Sequence, residues 1–124
     1  MTSLMSACDS LQDPQHPIDQ PNLMVVMTTV GSAAAAHQLA HALVAERCVA
    51  CAQVLPGITS FYHWQGSLQT DSETLILFKL PAGAYPQLEQ RLRELHPYDE
   101  PEILALTASQ VSPTYLAWAL EQVG

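Results

Sequence analysis

Charge is what this 124-residue chain has least of: Asp, Glu, Lys and Arg together make up 13% of it, about half the roughly 25% of an ordinary globular protein. Basic residues are the scarcest. Arg47, Lys79, Arg91 and Arg93 stand against 12 acidic residues, giving a net charge of −8. That balance argues against nucleic acid and anionic membranes as partners, because both need Lys and Arg to neutralise phosphates. No apolar run approaches the roughly 20 residues of a membrane span. The first residues lack the basic and apolar regions of a signal peptide, so the expected address is cytoplasmic. Catalytic signatures are missing too. There is no Ser or Cys beside a base and an orienting acid, no Gly-rich phosphate loop and no H-E-x-x-H, so an enzyme is not expected.

Cysteine is sparse and unpatterned, with Cys8, Cys48 and Cys51 only, which suits a reducing compartment. Cys48-Val49-Ala50-Cys51 matches C-x-x-C. It leads into β-prone sequence, where residues three apart point to opposite faces, and a zinc ribbon would need a second pair. What the chain has in quantity is apolar residues, at 48%. With so little charge to coat a small domain, some apolar surface should be left for a partner, and a homo-oligomer is expected.

Residues 1–21 carry Asp9, Asp13, Asp19 and three prolines without apolar periodicity, and read as a flexible tail. Residues 22–124 read as one domain. Leu23 to Val30 is a β-branched, apolar run fit for a buried central strand. Ser32 is a suitable N-cap for a helix of about fifteen residues, with Ala36, Leu39, Ala40 and Leu43 on its inner face. Cys48 to Val54 is β-like, Pro56-Gly57 should bend the strand, and Ile58 to Gln65 alternates with Tyr62 and Trp64 on one face. Gly66-Ser67 is expected to turn the chain into a partner strand over Thr74 to Leu80. Tyr85 to Leu95 is a second helix striped by Leu88, Leu92 and Leu95, and Pro97 and Pro101 forbid helix beyond it. Ile103 to Thr107 is a last strand, and Ser112-Pro113 opens a C-terminal helix. The order β-α-β-β-α-β plus one helix is that of an α+β, ferredoxin-like split βαβ domain.

Several short motifs follow one another at fixed intervals: Ala50-Cys51-Ala52, Pro56-Gly57-Ile58-Thr59-Ser60, Tyr62-His63-Trp64-Gln65-Gly66, Glu73, Lys79, His96-Pro97-Tyr98, Pro101-Glu102 and Tyr115-Leu116-Ala117-Trp118. The ordered set resembles the CutA family, the proteins named for divalent-cation tolerance, from about Leu23 to the C-terminus. The resemblance implies a ferredoxin-like subunit in a tight PII-like homotrimer, with clefts between subunits and a role in binding copper or another divalent metal. The copper ligands it implies are a Cys at the end of the first strand and a His pair before Pro-Tyr. Here Met27 stands in place of the Cys and Leu95 in place of the first His, so only His96 and the softer thioether of Met27 remain.

Two readings of His96 stay open, as a helix C-terminal cap or as a ligand beside Asp99, Glu100 and Glu102. Tyr62, Trp64, Glu73, Lys79, Tyr98, Glu102 and Cys51 are the candidates for a ligand cleft. Lys79 in an apolar strand calls for a carboxylate partner, Glu73 or Glu102. With Tyr98 it would suit a small anionic metabolite, the alternative to a metal; a trimeric hub for another protein is the third possibility. His37 and His41 sit four apart, a spacing at which two imidazoles can share a metal, but no third ligand is evident. No metal or cofactor is expected to be required for folding.

Overall fold

The computed structural model describes residues 22–124, so the expected flexible tail lies outside the described residues. Alternating apolar residues build four strands: β1 (Leu23–Val30), β2 (Cys51–Trp64), β3 (Ser67–Pro81) and β4 (Leu104–Thr107). Three helices join them: α1 (Ala33–Ala45), α2 (Tyr85–Leu95, entered through a 3-10 turn over Ala82–Ala84) and α3 (Pro113–Gln122). The strands form one antiparallel sheet in the order β2-β3-β1-β4. The fold is thus a mixed α+β one.

Period-2 alternation gives the sheet two different faces. On one, Val26, Val30, Ile76, Phe78 and Leu80 are fully buried against Leu39 and Leu43 of α1 and Leu88 and Leu92 of α2. The Ser32 hydroxyl caps α1 by accepting the Ala35 N–H at 3.1 Å, as its position predicts. Arg91 donates to both oxygens of Glu46, at 2.7 and 2.9 Å, and ties the end of α1 to α2.

Among the described residues the other face is covered at one end only, where α3 packs Ala119 against Leu23 and Ala50. The rest carries Val25, Met27, Leu75 and Leu77, half-buried, and Leu104 and Leu106, exposed. This is the apolar surface that the shortage of charge foretold.

The β2–β3 hairpin differs from the expected one. β1 pairs β3 only as far as Val30↔Thr74, yet β2 and β3 stay paired to Trp64↔Ser67. Their outer halves therefore form a two-stranded arm that runs past the sheet. The turn is Gln65-Gly66, one residue earlier than expected, and both have positive φ (51° and 81°), the backbone of a type I′ hairpin turn. β3 begins at Ser67 rather than Thr74. The polar stretch Gln69 to Glu73 hides this, since it pairs only with β2 and has no core face to declare it. Cys48 to Ala50 is buried but precedes the strand, so β2 starts three residues later than expected. The bend at Pro56-Gly57 is present as a register shift between Leu55 and Ile58, with Gly57 at φ 81°.

Because Phe78 is wholly enclosed on the helix-covered face, Phe78→Ala should cost about 3–5 kcal/mol, seen as a fall in the denaturant midpoint. Gly57→Ala, which leaves the core alone but puts a Cβ at positive φ, should cost about 1–2 kcal/mol.

Candidate functional site

The face of the arm from Glu73 out to Trp64, the end of β1 and residues 98–102 border a cleft of about 590 Å³, lined by Thr29, Tyr62, Trp64, Glu73, Tyr98, Asp99, Glu100 and Glu102. The register shift in β2 brings Tyr62 and Trp64 into it. Before the shift Leu55 lies opposite Leu75; after it Ile58 lies opposite Glu73, Tyr62 opposite Gln69 and Trp64 opposite Ser67. One extra residue in β2 thus sets Tyr62 and Trp64 on the face that bears Glu73.

Hydrogen bonds fix the walls. Tyr98 donates its hydroxyl to Glu73 Oε2 at 3.0 Å, and Ser60 donates to Oε1 at 2.7 Å. Both oxygens of Glu73 are therefore engaged. Tyr62 donates to Asp71 on the paired strand. Burial, followed by the Glu73 bond, pushes the Tyr98 phenol up to about 12; the Asp71 bond raises the Tyr62 phenol. Both phenols thus stay protonated donors at neutral pH. Asp99, Glu100 and Glu102 are exposed at the rim, and no Lys or Arg lines the cleft.

His96 is the buried anchor of this wall, 7% exposed at the C-terminus of α2. Its Nδ1 accepts the Tyr98 N–H at 3.0 Å, which puts the ring proton on Nε2. Nε2 lies 3.0 Å from both Thr28 Oγ1 and the Thr29 carbonyl oxygen. The imidazole therefore caps a β1 carbonyl rather than one of its own helix. Burial lowers its pKa, which favours the neutral ring.

The structure sorts the sequence candidates. Tyr62, Trp64, Glu73, Tyr98 and Glu102 meet in the cleft; Lys79 and Cys51 do not. Those two lie opposite each other in the sheet, at the end remote from the arm. Lys79 and Glu73 share a face but stand six residues apart, roughly 20 Å along an extended strand. Among the described residues Lys79 has no carboxylate within ion-pair distance, which corrects the expected pairing with Glu73 or Glu102. Met27 and His96 are not brought together either. Met27 lies on the sheet face away from α1 and α2, while His96 bonds to its neighbour Thr28 on the opposite face. With both ring nitrogens of His96 engaged, this pair does not fit a copper ion. His37 and His41 are exposed, and no group of three His, Cys, Asp or Glu among the described residues is placed to hold a metal. Thr29, Ser60 and Asp71 were not foreseen; only the strand register, once known, could have revealed them.

A folded-state pKa below the ordinary imidazole value of about 6.5 means that the native protein resists the proton that the unfolded chain accepts. Stability should hold above pH 6.5 and fall as pH drops below it, by at most about 1.4 kcal/mol per pH unit. Urea midpoints between about pH 7.5 and 5 check this, and His96→Gln should flatten the slope while lowering the plateau.

Known proteins extend the picture. The family model described as CutA1 divalent ion tolerance protein matches residues 24–122. The divalent-cation tolerance protein CutA of Thermus thermophilus is 45% identical over 100 residues, which are 81% of this chain and 97% of that one. The protein of the same name from Yersinia pestis is 35% identical over 114 residues, 92% of this chain and 95% of its own. The solved Thermus thermophilus structure superposes with a TM-score of 0.79 at 44% identity, covering 82% of this chain and 99% of that one. CutA1 from Oryza sativa gives 0.80 at 33% identity, covering 83% and 94%. A fold, a motif set and a family model that agree over nearly all of the described residues lead to one conclusion: the chain belongs to the CutA1 divalent ion tolerance family.

Proposed function

We propose that this chain is a subunit of a homotrimer that handles divalent cations, taking up hydrated ions at low affinity in the acidic cleft. The observation that carries this is the lining itself. Asp99, Glu100 and Glu102 stand exposed, Glu73 adds negative potential from within, and no Lys or Arg among the described residues lines the cleft. Carboxylate oxygens suit hard divalent ions that keep most of their water. Copper, the metal first expected from the sequence, would need a donor set other than Met27 with His96. A small anionic metabolite is disfavoured by the same negative lining, and Lys79, its expected contact, lies elsewhere in the sheet.

Trimer formation is supported by the uncovered apolar face and by the arm, which exposes Phe61 (69%) and Leu68 (66%). A free two-stranded ribbon is marginal in water. Strand order β2-β3-β1-β4 with α1 and α2 on one face also agrees with a ferredoxin-like subunit.

Calorimetric titration of the full chain with Mn2+ should give weak, saturable binding, and Asp99→Asn with Glu102→Gln should weaken it severalfold. Unchanged binding in that variant would remove the cleft from the reading. Light scattering should return three times the 13.5 kDa chain mass; a monomer would sink the assembly. Leu106→Asp, a charge on the uncovered face, should lower that mass.

A further inference from the structure

We infer that the cleft is a receptor for a small organic cation, a ligand that carries a substituted ammonium group on a compact apolar body. This goes beyond the divalent-ion reading and does not rest on it. The first argument is size. A volume of about 590 Å³ lies within the roughly 300–1,000 Å³ of small-molecule pockets. It is far more than one metal ion fills, and no three-donor cluster among the described residues would fix such an ion in one place.

The second argument is the chemistry of the walls. Tyr62, Trp64 and Tyr98 bring three aromatic rings to one concave surface. Trp64 is 60% exposed within the single subunit, so nothing else in the described residues of that subunit occupies its ring. Ring faces attract ammonium groups through their quadrupole, Trp most strongly. Both phenols donate to carboxylates, Tyr62 to Asp71 and Tyr98 to Glu73. A phenol polarised in this way holds its ring in place and places more negative charge on the ring face.

The third argument is the charge that remains. Glu73 is held in place by Ser60 on one oxygen and Tyr98 on the other, so its negative charge is fixed within the cleft. Asp99, Glu100 and Glu102 stay open at the rim to meet the cationic end. Three aromatic rings beside exposed carboxylates, with no Lys or Arg among the described residues that line the cleft, match an alkylated ammonium better than a bare ion or an anion.

Choline and its uncharged isostere 3,3-dimethyl-1-butanol test this with the full chain in its assembled state. Tryptophan fluorescence and calorimetry should show saturable choline binding, with the neutral probe roughly tenfold weaker or more. Trp64→Leu, at an exposed position, should weaken choline roughly tenfold while leaving the circular dichroism and mass unchanged, and Trp118 remains as an internal reference. Asp99→Asn with Glu102→Gln should weaken choline and reduce its salt dependence. Equal binding of the two probes, no saturation, or indifference to Trp64→Leu would each overturn the inference. So would choline binding that appears only when the assembly is dissociated, since another copy of the chain would then be the occupant. A Mn2+ titration of the same sample keeps the readings apart: Mn2+ bound and choline rejected defeats this inference alone.

Discussion

The molecule depends on the uneven pairing of β3. From Leu75 to Lys79 the strand is paired on both sides, between β1 and β2; from Ser67 to Glu73 it is paired with β2 alone. The doubly paired half carries Ile76 and Phe78 into the core. The singly paired half has no layer beneath it and would be marginal by itself. It borrows its order from the sheet body, and Glu73, the first residue beyond that body, is where residues 96–102 fasten to it through Tyr98. The cleft exists because a rigid half and a projecting half of one strand meet there.

That origin explains the polarity of the site. A cleft inside the body would be lined by the aliphatic residues that fill the rest of the core. One at the junction takes its side chains from an arm whose residues answer to water, and from a proline-bounded segment that cannot be helical. His96 joins the two regimes. It is buried like a core residue, but each of its ring nitrogens serves the backbone of a wall, Thr29 on one side and Tyr98 on the other. Its part is to position the lining, and the lining carries the charge.

Much of this was legible in the sequence. Periodicity placed every strand and helix in order, the bounds of α2 were read directly from Tyr85 and the proline after His96, and Pro56-Gly57 announced the bend. Tyr62 and Trp64 could be set on one face because the strand period is two. The rest depends on partners distant in sequence. The outer half of β3 is polar and shows no burial pattern, so it read as loop. Lys79 seemed to need Glu73 because only residue types were visible; extended backbone keeps those two far apart. Met27 and His96 looked like a ligand pair until the register put Thr28, not Met27, on the side of the imidazole.

The extra residue at Pro56-Gly57 means that the arm's chemistry is stored as a parity. Without it, Leu55 opposite Leu75 would continue to Gly57 opposite Glu73, and the odd-numbered residues would follow onto that face. Phe61 and His63 would then point where Tyr62 and Trp64 now do, and the two tunable aromatics would be turned away from the carboxylates. Nothing in the composition of the arm would have changed. A single-residue gain or loss between Leu55 and Ile58 is therefore equivalent to replacing Tyr62 and Trp64 at once. Chain length at that point is as strict a determinant of what the cleft can hold as the identity of any residue lining it.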